Sequence, residues 1–261
     1  MIISSRSNPM IKEIRSLRER KQRERSGLFF VEGIRIVAEA AQVGAAIERL
    51  IVAPTLLTSR FAQEIVAAQR EAGVPCLEVT AEVFASLSVK DSPQGLGAVV
   101  QERWTRLDEA APWWIALSGV QDPGNLGTIL RTGDAVGTAG VLLIGQTADP
   151  FDPEAVRASM GAIFSQRVVR TTLQELAAWK AAHQFTLVGT SDAAATDYQG
   201  VTYPARLILF MGSEQHGLSA EEQALCDVMV RIPMVGRSDS LNLAVATGIT
   251  LYEIFNQHRM A

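Results

Sequence analysis

The chain has two cysteines and three histidines in 261 residues. Cys76 and Cys226 cannot build a disulfide framework, and neither lies near a second Cys or His at metal-ligand spacing. No bound metal is expected, and both thiols read as small buried hydrophobes. Long apolar runs are also missing. Val141-Leu142-Leu143-Ile144 and Leu207-Ile208-Leu209-Phe210 are strand-sized, far short of the roughly 20 residues that cross a membrane. The opening stretch MIISSRSNPMIKEIRS lacks the apolar core of a secretory signal, so a cytoplasmic protein with no membrane contact is expected. Disorder does not fit a chain that is 48% hydrophobic and 20% charged. There is no internal repeat and no low-complexity tract. Excess positive charge is absent too, and a net charge of −4 argues at first sight against a nucleic-acid partner.

The charge is unevenly spread. Residues 1–110 balance at +1 and residues 111–261 at −5. The first 25 residues carry eight basic and three acidic side chains. Apolar Met10, Ile11, Ile14 and Leu17 fall at helical spacing among them, which predicts an amphipathic helix with a basic outer face. Such a face is either a solvated surface or a phosphate-contacting arm. Arg18, Lys21 and Arg25 are the candidates for RNA contact.

Residues 1–104 alternate short helices and strands, as in a small α/β domain. A charged stretch ending in Pro, residues 105–112, is the candidate linker. In residues 113–261 the strands become continuously apolar: Trp113–Leu117, Gly140–Ile144, Phe185–Gly189, Ala205–Met211 and Val228–Ile232. Helices are expected at Asn125–Val136, Pro153–Phe164, Leu173–His183, Ser219–Leu225 and Leu241–His258. That rhythm predicts a parallel sheet covered on both faces. Ligands of such sheets bind beyond the carboxyl ends of the strands.

Three segments near those ends carry unusual residues. Gly119-Val120-Gln121-Asp122-Pro123-Gly124-Asn125-Leu126-Gly127 leads into a helix with Arg131. Its glycine spacing fits neither a dinucleotide loop nor a phosphate loop, which disfavours a nicotinamide-dependent enzyme. Asn125 is either a helix N-cap or a functional amide. Arg131 is either a salt-bridge partner or a phosphate ligand. The second segment is Gly212-Ser213-Glu214-Gln215-His216-Gly217, where Glu214 and His216 follow a buried strand. The third runs from Ile232-Pro233-Met234 to Ser240-Leu241-Asn242, with Ser240 or Asp239 as the expected helix cap.

The order Asn125…Arg131, Gly212-Ser213-Glu214-x-x-Gly217, Ile232-Pro233-Met234…Ser240-Leu241-Asn242 resembles the three motifs of the TrmH (SpoU) family. These are RNA 2′-O-ribose methyltransferases of the SPOUT superfamily. The resemblance covers roughly residues 113–261. Ser4, Asn8-Pro9, the basic helix and Phe30-Val31-Glu32-Gly33 are similar to the start of the ribosomal-protein-like domain that precedes many rRNA members, the thiostrepton-resistance type included.

The resemblance implies an α/β fold: a smaller N-terminal α/β/α domain, then a parallel-sheet SPOUT domain tied in a deep trefoil knot. It implies S-adenosylmethionine as cofactor, with Thr190, Gly212, Ile232, Met234, Leu241 and Ala244 at the binding positions. Asn125, Arg131, Glu214, Ser240 and Asn242 are the implied functional polar residues. A homodimer with the active site at its interface is implied as well, acting on rRNA in preference to tRNA. Arginine stays protonated in ordinary sites, so phosphate binding suits Arg131 better than a base role. A catalytically silent RNA-binding protein of the same fold is the rival from another class.

Overall fold

The structure, a computed structural model, describes residues 2–107, 111–237 and 240–260. It divides into two compact units, Met1–Arg103 with Phe151–Phe164, and Trp104–Pro150 with Ser165–Ala261. Asp108, Glu109 and Ala110 of the expected linker, and Asp239 as a cap, lie outside the described residues.

The first unit runs α1 (Pro9–Ser16), α2 (Arg20–Ser26), β1 (Leu28–Glu32), α3 (Ile34–Gln42), β2 (Ile47–Val52), α4 (Arg60–Glu71), β3 (Cys76–Glu78), α5 (Ala81–Leu87) and β4 (Leu96–Gln101). Its sheet order is β1-β4-β2-β3, with β4 antiparallel to β1 and β2, and β3 parallel to β2. Ile11, Ile14 and Leu17 bury against Val83, Phe84 and Leu87 of α5 and against Ile51 and Val99 of the sheet. Helical spacing on α1 and strand alternation on the sheet select those residues.

The expected single basic helix is two helices. The break falls at Leu17–Glu19, and Arg23 explains it. Only 1% exposed, its guanidinium donates to the carbonyls of Leu17 and Arg18 at 2.9 and 2.8 Å and pairs with Asp152 at 3.3 Å. A residue that reads as outer-face charge therefore caps the end of α1 from inside.

The second unit contains β5 (Trp113–Ser118), α6 (Pro123–Val136), β6 (Gly140–Ile144), β7 (Arg167–Thr171), α9 (Leu173–His183), β8 (Thr186–Thr190), β9 (Thr196–Asp197), β10 (Leu207–Met211), α10 (Ala220–Leu225), β11 (Val228–Arg231) and α11 (Leu243–Met260). Between β6 and β7 the chain makes α7 (Pro153–Ser159) and α8 (Ala162–Ser165). The helix expected over Pro153–Phe164 is thus broken, because Met160 and Gly161 take φ of +52° and +105°. Phe151 and Phe164 set their rings 4.9 and 6.1 Å from that of Phe29, within the first unit.

The seven strands are all parallel, in the order β7-β6-β5-β10-β8-β11-β9. Each residue of β6 and β10 is buried, as the unbroken apolar runs require. Trp114, Trp179 and Phe185 anchor one core, Trp179 stacked on Phe185 at 4.4 Å. From β5 the chain steps outward through β6 to β7, then returns to build the other half, and β10 inserts between β5 and β8. The direction of winding reverses there, so the loops after β5 and β10 open side by side. Among the described residues, no helix is long and apolar enough to cross a membrane, and no three His, Cys, Asp or Glu side chains are grouped to hold a metal.

Candidate functional site

The switch point brings the three sequence segments together. After β5, Asp122 rather than Asn125 caps α6: its carboxylate accepts the Asn125 N–H at 2.6 Å, and Pro123 follows at the first helical position. That leaves the Asn125 side chain free for other work. Its Nδ2 donates to Oε1 of Glu214 at 3.2 Å, and its Oδ1 accepts from Nδ2 of Asn242 at 2.9 Å. Asn242 in turn caps α11 by accepting the Val245 N–H at 3.2 Å, a role expected of Ser240 or Asp239. Glu214, Asn125 and Asn242 form one connected chain drawn from the loop after β10, from α6 and from the cap of α11.

Gln121, missed in the sequence, braces this cluster. Its N–H reaches Glu214 Oε2 at 3.4 Å, and its side-chain amide donates to the carbonyls of Gly119 and Gln146 at 3.2 and 2.9 Å. The Asp122-Pro123 pair was the legible sign that the helix begins before Asn125.

Beside the cluster lies a cavity of about 460 Å³ at the carboxyl ends of β8, β10 and β11. Thr190, Gly212, Ile232, Met234 and Leu241 line it, as do Glu214 and Ser240. Ala244 does not; Leu243 and Ala246 face it from the same helix, and Ala244 is buried at 6% exposure. At Gly212 a Cβ would run into the backbone of Gly217, where the loop folds back and Ser213 and Gly217 exchange backbone hydrogen bonds. Glycine is therefore required for the loop to close beside the cavity. Walls that mix apolar side chains with polar groups at the strand ends, at this volume, suit a cofactor-sized molecule.

Arg131 stands apart. It lies six residues beyond Asn125 on α6, is exposed, and has no partner among the described residues. In the first unit, Arg18 donates to the carbonyls of Leu87 and Ser88 at 2.8 and 2.9 Å, closing the end of α5. Lys21 and Arg25 are exposed and unpartnered among the described residues. Cys226 and Cys76 are only partly buried. Burial and the neighbouring Asp227 push the Cys226 thiol up to about 12.

A parallel α/β sheet with a ligand cavity and a polar cluster at its switch point defines a group-transfer or cofactor-binding domain. Residues 112–252 match the SpoU rRNA Methylase family and residues 8–98 the MRM3-like substrate binding domain. The chain belongs to the SpoU rRNA methylase family. The 23S rRNA (uridine(2479)-2′-O)-methyltransferase of Streptomyces viridochromogenes is 32% identical over 252 residues, covering 92% of this chain and 87% of that protein. The 23S rRNA (guanosine(2553)-2′-O)-methyltransferase RlmP of Bacillus subtilis is 29% identical, covering 97% and 98%. The crystal structure of AdoMet-bound rRNA methyltransferase from Sinorhizobium meliloti superposes with a TM-score of 0.90 at 35% identity, covering 100% of this chain and 99% of that one.

Proposed function

We propose that this protein is an S-adenosylmethionine-dependent methyltransferase that modifies a ribose 2′-hydroxyl in 23S rRNA. The observation that carries the reading is the Glu214–Asn125–Asn242 chain at the edge of the cavity. Three sequence-distant polar groups are held there in one arrangement, which is what alignment of a poorly acidic hydroxyl requires. The names of the relatives and the substrate-binding match over residues 8–98 support rRNA as the target.

S-adenosylmethionine, when bound, supplies a methyl group activated by its sulfonium charge. Thr190, Gly212, Ile232, Met234 and Leu241 would hold it, with Leu243 and Ala246 facing it in place of Ala244. Transfer to a ribose oxygen would leave S-adenosylhomocysteine and one proton for solvent, so the part of this chain is to hold the hydroxyl oriented toward the bound cofactor. Asn125 and Asn242 each keep a second amide N–H for a ribose or phosphate oxygen, since only one on each is used internally. Glu214 retains lone pairs beyond the two N–H groups it accepts, enough to orient the hydroxyl. Ser240, at the cavity wall, contributes a hydroxyl to the same edge.

Arg131, exposed and unpartnered among the described residues, binds RNA phosphate and fixes the ribose by its charge. The working form is a homodimer whose interface includes the active site. Support comes from the exposed apolar side chains Val245 and Tyr252 on α11, 52% and 48% accessible. A deep trefoil knot belongs to the same reading, supported by membership of the SpoU rRNA methylase family. An rRNA target supports a cytoplasmic location. Calorimetric titration with S-adenosylmethionine, followed by transfer of its labelled methyl group to RNA, tests the reading. Absence of cofactor binding, or label entering protein or DNA, would overturn it.

A further inference from the structure

The first unit has a cavity of its own, about 110 Å³, which the catalytic reading leaves unused. It is too small for a cofactor. Its floor is apolar: Phe30 and Val31 of β1, Ile36 of α3 and Val156 of α7. Its rim is cationic. Arg35, Lys90 and Arg157 are exposed there, and their side chains have no partner among the described residues. The carboxylate on the lining, Glu32, accepts the Val89 N–H at 2.8 Å and is thereby committed to the wall. Two apolar side chains remain open at the mouth, Val89 at 52% and Met160 at 38% exposure. Met160 is held there by a φ of +52°, a backbone region that a bulky residue seldom adopts.

The start of α3 adds to this. Gly33, with φ +111°, precedes the helix, and the Ile34 N–H is taken by Gln94 at 3.2 Å. Gly33 closes the Phe30-Val31-Glu32-Gly33 segment, so that stretch of sequence builds the cavity wall.

We infer that this cavity takes one unpaired nucleotide of the RNA substrate, its base against Phe30 and the apolar floor and its flanking phosphates on Arg35, Lys90 and Arg157. A small cavity with an apolar floor and three exposed cations at its rim matches a nucleotide, because single-stranded RNA is recognised by splayed bases stacked on aromatic and guanidinium planes. Duplex RNA offers no base to enter the slot. The inference rests on the RNA-methyltransferase reading and narrows how the substrate is held.

The test is ultraviolet crosslinking of the full chain to fragmented 23S rRNA, with adducts located by mass spectrometry. Nucleotide adducts are expected on peptides carrying Phe30, Val89 or Met160. In the Arg35→Ala/Lys90→Ala/Arg157→Ala variant, thermal stability should persist while affinity for single-stranded RNA falls roughly tenfold or more. The Arg35→Lys/Arg157→Lys variant should retain most of that affinity. Adducts confined to other peptides, or an affinity within twofold of the parent in the triple variant, would overturn the inference. Incorporation of labelled methyl is read in parallel on the same RNA. Methylation with adducts elsewhere removes the slot alone, and adducts at the slot without methylation remove the enzymatic reading alone.

Discussion

Asn242 donates from Nδ2 to Oδ1 of Asn125 across 2.9 Å, joining residues 117 positions apart in the chain. Asn242 also caps α11 through Val245, so one side chain sets both the helix start and the orientation of Asn125. The substitutions Asn125→Ala and Asn242→Ala should each lower kcat by on the order of 100-fold, the cost of a misaligned reacting group. Asn242→Ala should lose an additional ~1 kcal/mol of stability with its cap. The double variant should be little worse than either single, because the two act as a unit. Multiplicative losses in single-turnover assays would show that they act independently.

Arg131→Ala removes an exposed side chain with no partner among the described residues. Stability should change by less than about 0.5 kcal/mol. RNA binding should weaken together with methyl transfer, and Arg131→Lys should restore binding better than turnover, since lysine keeps the charge but loses the planar fork. Unaltered RNA affinity in a catalytically dead Arg131→Ala would contradict the positioning role.

The basic N-terminal segment divides by function. Lys21→Glu/Arg25→Glu should reduce RNA affinity and flatten its dependence on salt, with the thermal midpoint unchanged. Arg18→Glu should instead lower the midpoint, because Arg18 closes the end of α5 through Leu87 and Ser88. Salt titrations monitored by fluorescence anisotropy, beside thermal melts, separate the two. An unchanged salt slope in the double variant would return that face to solvent.

Cys226 predicts a pH dependence. Its thiol is pushed up to about 12 in the folded chain, mainly by burial. The unfolded thiol ionises first, so stability from this group is complete below the ordinary thiol range and is lost as pH rises through it toward 12. Denaturation in urea should show the parent losing more stability than Cys226→Ala between neutral and alkaline pH. Parallel losses in both proteins would contradict it.

How much was legible depended on local signal strength. α9 runs as expected over Leu173–His183, because Thr172 caps it through a side-chain oxygen. The buried strands β6 and β10 were visible as unbroken apolar runs. The edge strand β7 was missed. Its sequence, RVVRT, carries two arginines, and Arg170 lies over the Trp104 ring at 3.8 Å instead of facing a core. The split between α1 and α2 has no Gly or Pro to announce it; it depends on Arg23 reaching carbonyls that only the folded chain brings near. At the site, the residue types were readable but their wiring was not. Both Ser240 and Asn242 are good caps by chemistry, and only packing of α11 on α6 decides for Asn242. The exposed position of Arg131 gave no sequence signal either, since an arginine on an apolar helix pairs or stays open according to what surrounds it.

The most direct test of the central claim is the position of the transferred methyl group. Purified protein is incubated with labelled S-adenosylmethionine and 23S rRNA from cells lacking the activity, and the product is digested and mapped. The account predicts one labelled nucleotide, methylated on its ribose 2′-oxygen and therefore resistant to alkaline cleavage at that link. It also predicts that Asn125→Ala gives almost no label on the same RNA. Label on a base, or no label despite tight cofactor binding, would contradict it.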